Sequence, residues 1–166
     1  MKKQQGFTLI ELVVVIIILG ILAVTAAPKF LNLQSDATKS TLSGMKAALQ
    51  GGNSLLYSKA AIQGKEKDDG SNGDNVDLTG DDSADITAVY GYVKADATNI
   101  LKILEADTTS SGDWVIAAPS AANVSAADVI IYRKGTTPSD TYKCFVEYSE
   151  ATSNSLPVYE IVDTNC

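Results

Sequence analysis

The pattern of apolar and polar positions changes character along the chain. Residues 7–27 form an apolar run of 21 residues, interrupted by one acid, Glu11. As a helix this run spans roughly 31 Å, close to the thickness of a bilayer core. After Pro28 the pattern turns amphipathic. Phe30, Leu31, Leu33, Ala37, Thr41, Leu42, Met45, Ala48, Leu49, Leu56 and Tyr57 fall mostly three and four apart, with Lys29, Asp36, Lys39 and Lys46 between them. That is the helical period with one apolar stripe. It predicts a single helix over 7–58, its first half suited to lipid and its second to a domain face. Pro28 removes an N–H and bends such a helix, and Gly20 weakens it nearby. The section between Gly20 and Pro28 is expected to be flexible, able to stretch or unwind, against the alternative of two irregularities of the kind that membrane helices tolerate.

Residues 64–85, GKEKDDGSNGDNVDLTGDDSAD, break the helical pattern with eight acids and four glycines. Asn, Asp and Gly supply turn chemistry, so a solvated loop is expected. A short helix follows over 97–106, with Ile100, Leu101 and Leu104 on one face and Asp96 or Thr98 as its cap. Four segments then read as strands, at 114–118, 129–133, 143–148 and 158–162. They are rich in β-branched and aromatic residues and separated by turn formers. Four strands in series predict an antiparallel sheet with one face on the amphipathic half of the helix. Trp114 is expected in the core or on a sheet face rather than as a ligand platform.

Composition narrows the function classes. The 166 residues carry a net charge of −7 and no histidine. The acidic balance argues against a nucleic-acid surface. The missing histidine removes Ser-His and Cys-His nucleophiles, imidazole metal ligands and a neutral-pH proton switch. No P-loop, Gly-x-Ser-x-Gly, CxxC or internal repeat occurs, and no cofactor is implied. Calcium is the one metal worth weighing, with Asp74, Asp77, Asp81 and Asp82 as candidate oxygen ligands. The EF-hand spacing fails, because counting from Asp68 places Gly70 and Thr79 at the third and twelfth positions. Hydrated surface is the commoner fate of such a loop.

Two cysteines, Cys144 and Cys166, follow an export-like segment. They suggest a disulfide in an oxidising compartment, against the alternative of two unpaired thiols. A bridge would close a loop of 23 residues, contribute about 3 kcal/mol in the chain-entropy model, and pin the strand at 158–162 beside its neighbour.

The apolar run is longer than the core of an ordinary secretory signal, and Pro28 directly follows the small residues Thr25, Ala26 and Ala27. Lys2 and Lys3 hold the N-terminus on the cytoplasmic side. A plain anchor accounts for all of this except Glu11, since an acid inside a membrane helix costs about 2.5–3.5 kcal/mol and calls for a partner. The run holds no Lys or Arg. A cut between Gly6 and Phe7 would supply a cation, because the freed Phe7 amine would lie one helical turn from Glu11.

GFTLIE ahead of an apolar helix resembles the N-terminal signature of type IV prepilins. The stretch FTLIELVVVIIILGILAVTAAPKFLNLQSDA is similar to mannose-sensitive haemagglutinin pilins. The resemblance covers about the first 30 residues. It implies cleavage by a prepilin peptidase after Gly6, N-methylation of Phe7, and a register role for Glu11 as partner of a Phe7 amine on an adjacent subunit. It also implies an α+β type IV pilin fold: a long N-terminal helix, its apolar half protruding and its amphipathic half on a four-stranded antiparallel sheet, with a C-terminal loop bounded by Cys144 and Cys166. The corresponding division is a leader at 1–6, a transmembrane and fibre-core helix at 7–28, and a head domain at 29–166.

On this resemblance the chain is a structural subunit rather than an enzyme. It is an inner-membrane precursor, then part of an extracellular homopolymer serving adhesion, biofilm formation or motility. The implied partners are other pilin subunits, the peptidase, and an inner-membrane platform with its ATPase. A type II secretion pseudopilin shares the signature, although the major pseudopilin typically lacks the cysteine pair and carries a calcium site. A membrane-anchored periplasmic binding or enzymatic domain is the third alternative.

Overall fold

A computed structural model describes residues 6–109, 111–119 and 124–166. Lys2, Lys3 and the side chain of Leu31 lie outside the described residues. Helix α1 (Leu9–Ile62) is 54 residues long, and the chain divides between Thr38 and Lys39 into two compact units.

In the first unit α1 exposes its apolar side chains, from Leu9 and Ile10 through Ile16, Ile17 and Ile18 to Val24 and Phe30. By length and composition it suffices to cross a membrane. A helix satisfies its own backbone polar groups, which is what lipid requires. The helix runs unbroken through Gly20 and Pro28. Pro28 offers no N–H to the carbonyl one turn earlier. Nearby, the Thr25 hydroxyl donates to the carbonyls of Ile21 (3.4 Å) and Leu22 (3.1 Å), a contact that itself favours bending.

In the second unit α1 is amphipathic, but the stripe is not quite the expected one. Leu42, Met45, Leu49, Asn53, Leu56 and Ala60 are buried, at steps of three and four. Thr41, Ala48 and Tyr57 are exposed, as are Phe30, Leu33 and Ala37 before them. A polar residue, Asn53, occupies the middle of the buried face.

Asn53 explains a hairpin that the sequence reading did not foresee. Strands β1 (Ala88–Val89) and β2 (Tyr92–Val93) pair across Tyr90 and Gly91, whose φ angles of 51° and 83° make a two-residue hairpin turn. Two-residue strands cannot hold themselves. Side chains do it instead. The Val93 N–H donates to Asn53 Oδ1 (2.8 Å), the Tyr148 hydroxyl donates to the Val93 carbonyl (2.5 Å), and Asn53 Nδ2 donates to the Tyr159 hydroxyl (2.7 Å).

Helix α2 (Ala97–Ile103) is capped by Asp96, which accepts the Asn99 N–H (2.8 Å), and it ends short of the expected residue 106. It lies so close to α1 that a Cβ at Gly52 would stand 2.7 Å from the Ile103 carbonyl oxygen. Strands β3 (Trp114–Ala117), β4 (Val129–Arg133), β5 (Lys143–Ser149) and β6 (Val158–Thr164) form an antiparallel sheet in chain order. Ile116, Val129, Ile131, Cys144, Val146 and Tyr148 share one core with α1, and Trp114 packs at its margin. The alternate residues Ile130 and Phe145 build a second cluster with Val124. Burial on both faces gives β4 its run of three apolar residues, Val129, Ile130 and Ile131, where a half-buried strand would alternate.

Candidate functional site

Gly6 and Phe7 are exposed ahead of α1, Phe7 by 91%. The Thr8 hydroxyl accepts the Glu11 N–H (3.3 Å). The Glu11 carboxylate in turn accepts the Thr8 N–H (2.8 Å) and hydroxyl (2.7 Å). This reciprocal pair is a capping box. The sequence reading looked for a cation beside Glu11 and overlooked Thr8. The signal was there, as Thr-x-x-Glu just before an apolar run. Glu11 therefore has two donors within its own first turn, the Thr8 N–H and hydroxyl.

The acidic loop is more ordered than a hydrated tether. Val76 is fully buried and bridges to Ile86. Asp77 accepts the backbone N–H groups of Gly80 (2.6 Å) and Asp82 (2.8 Å), and Asp85 accepts those of Leu78 (3.0 Å) and Thr79 (3.1 Å). The Gly80 amide foremost holds the Asp77 carboxyl below the usual carboxylate range. Of the four acids singled out for calcium, Asp77 and Asp81 meet, joined by Asp85, with one oxygen of each within 4.8 Å of the others. Asp82 contributes its N–H to Asp77. Asp74 is drawn away, accepting from the Thr87 hydroxyl (2.7 Å) and pairing with Lys102 (3.4 Å). The Thr87 hydroxyl is the main reason its carboxyl lies below the ordinary value. These acids staple their own loop.

Cys144 and Cys166 form a disulfide with their Cα atoms 5.2 Å apart. It joins the start of β5 to the segment just beyond β6. Asn165 reinforces the link by donating Nδ2 to the Thr141 carbonyl (2.6 Å). The Cys166 N–H donates to the Asp163 carbonyl (3.3 Å).

Sequence reasoning missed a pocket of about 280 Å³ in the second unit, walled by Tyr57, Tyr90 and Tyr92 with Glu66 and Asn154 among its lining residues. Tyr57 and Tyr92 stack with their centroids 5.0 Å apart. Tyr90 is the second surprise. A hairpin turn of this type favours Asn, Asp or Gly at positive φ, and a bulky residue there is an outlier. The Tyr-Gly-Tyr sequence, flanked by valines, was the available sign.

The prokaryotic N-terminal methylation motif matches residues 1–27, which include Gly6, Phe7 and Glu11. The type IV narrow pilus major component PilA5 of Thermus thermophilus is 38% identical over 63 residues, covering 38% of this chain. The chain spans about half the length of that curated relative (51%). No solved structure matches the chain.

Proposed function

We propose that the chain is the precursor of a type IV pilus subunit. It enters the inner membrane through α1, is cut after Gly6 and N-methylated on Phe7 by a prepilin peptidase, and is polymerised by a platform and ATPase into an extracellular fibre. The observation that carries this reading is the methylation motif over 1–27 on a helix whose apolar side chains are exposed on all sides. Such a surface must be covered by lipid or by other helices. Assembly exchanges the first cover for the second and keeps the apolar burial. Glu11 sets the register by meeting the Phe7 ammonium of an adjacent subunit, a buried pair that gives specificity more than net stability. The section between Gly20 and Pro28 absorbs the change of environment. Kinship with mannose-sensitive haemagglutinin pilins, and a role in adhesion, biofilm formation or motility, belong to the same proposal.

Mass spectrometry of the mature protein tests it. The expected N-terminus is methylated Phe7, and an intact Met1 in the mature protein would return the chain to a plain anchor. A pseudopilin is the second reading, favoured by the meeting of Asp77, Asp81 and Asp85. Electron microscopy of the native cell surface separates the two, with long fibres expected for a pilin and a short periplasmic piston for a pseudopilin.

A further inference from the structure

Two pairs in the acidic loop, Asp69–Gly70 and Asn72–Gly73, place a short carbonyl side chain before a glycine. In such a pair the glycine nitrogen can attack the preceding side-chain carbon, because no Cβ shields it. The structure treats the two pairs differently. The Gly70 N–H donates to Asp68 Oδ1 (2.9 Å), and the Asp69 carboxylate accepts the Ser71 N–H (3.0 Å). Gly70 is buried, and a Cβ there would stand 3.0 Å from the Ala88 carbonyl oxygen. Both reacting groups of the first pair are therefore held. Asn72 and Gly73 are exposed, and a Cβ at Gly73 would meet nothing within 4 Å. Among the described residues, neither the Asn72 amide nor the Gly73 N–H has a hydrogen-bond partner.

The other described asparagines differ at the atom that would attack. The N–H after Asn75 donates to the Ile86 carbonyl (3.2 Å) and the one after Asn99 to that of Asp96 (3.0 Å). Those after Asn154 and Asn165 donate to the carbonyls of Thr152 (3.4 Å) and Asp163 (3.3 Å). Asn32 and Asn53 are followed by N–H groups inside α1, which the helical ladder occupies. The amides of Asn53, Asn75, Asn99 and Asn165 are themselves hydrogen-bonded. A nitrogen can attack only after giving up such a bond, at a cost that Gly73 does not meet.

We propose that Asn72 is a site of spontaneous deamidation, with the Gly73 nitrogen as its nucleophile. Hydroxide takes the Gly73 amide proton. The nitrogen bonds to Asn72 Cγ, the Cγ–Nδ2 bond breaks, and ammonia leaves with a proton from water. The product is a cyclic succinimide. Another water opens it at either carbonyl, leaving aspartate or isoaspartate. Each event replaces a neutral amide with a carboxylate, so the loop gains one negative charge. Isoaspartate also routes the main chain through the side chain and lengthens it by one methylene. The change is confined between two anchors. Gly70 is packed behind it, and ahead of it the Asn75 amide exchanges bonds with the Ala88 main chain (2.9 and 2.8 Å). The surface of the second unit thus ages while its fold persists. None of the residues assigned to assembly takes part, so the inference stands apart from the pilus reading.

The test incubates the full-length protein in neutral detergent micelles and mildly alkaline buffer, beside a synthetic peptide of residues 68–79. Tandem mass spectrometry of the tryptic peptide 68–94 reads conversion at each position, and electron-transfer fragmentation separates isoaspartate from aspartate. Asn72 in the folded protein should convert within about threefold of the free peptide's rate, and at least about tenfold faster than Asn75 or Asp69. Asn72→Gln should abolish conversion in this peptide, because the longer side chain closes a ring less readily. A folded rate further below that of the free peptide would mean that the fold holds the turn, and would overturn the proposal. A smaller lead over Asn75 or Asp69, or conversion that persists in Asn72→Gln, would overturn it equally.

Discussion

Thr8 and Glu11 cap one another at the start of α1, with the carboxylate taking both the Thr8 N–H and the Thr8 hydroxyl. The acid is thus held at the helix end before any processing. In Glu11→Val the helix loses a cap but gains an apolar residue, so membrane insertion and the fold of the second unit should persist. Fibre assembly should be abolished or severely reduced. Electron microscopy of sheared surface fractions reads this directly, and normal fibres from the variant would contradict a register role for Glu11.

Removing the disulfide should loosen the β5–β6 pair. Cys144→Ser frees a closed loop worth about 3 kcal/mol in the chain-entropy model. Thermal unfolding under oxidising conditions should shift down by roughly 10 °C for a unit of this size. An unchanged midpoint would mean that the native bridge contributes nothing to stability.

Asn53→Ala should be among the most damaging substitutions on α1. It leaves the Val93 N–H buried without an acceptor and deprives the Tyr159 hydroxyl of its donor. Together these cost about 3 kcal/mol. Urea denaturation should show the loss as a lower midpoint. A variant within experimental error of the parent would mean that water replaces the amide.

The second unit should weaken in alkali. Burial pushes the Tyr159 hydroxyl up to about 12 and raises that of Tyr148 further. Both groups hold their protons longer folded than unfolded. Stability is therefore level up to about pH 10, the ordinary tyrosine value, and declines as pH rises toward 12. The slope is at most about 1.4 kcal/mol per pH unit for each tyrosine, less for half-buried Tyr159. Urea midpoints should hold up to about pH 10 and fall between about pH 10 and 12, and a flat profile would count against buried, protonated tyrosines.

Much of this architecture was legible because it rests on periodicity. The four strands and their order followed from β-branched runs between turn formers, and α1 followed from a change between two apolar patterns. The features that escaped depend on polar contacts between distant residues. Asn53 breaks an apolar stripe, so a hydrophobic pattern passes over it, yet it binds residues 40 and 106 positions away. The β1–β2 hairpin is too short to show a strand pattern and is held by side chains from α1 and β5. In the acidic loop, composition showed charge and turns. It could not show that Asp77 and Asp85 face their own backbone while Asp74 turns to Lys102. Glu11 was found from its charge, and Thr8 was missed because a threonine beside an apolar run raises no alarm.

Asn53 also has a mechanical consequence. A purely apolar stripe would let a helix slide by one turn at modest cost, since one leucine can take another's place. The amide cannot slide, because its oxygen must meet Val93 while its nitrogen meets Tyr159. Tension drawn along the helix axis would strain both bonds together, so this single side chain acts as a ratchet pawl that lets the helix seat at one notch only.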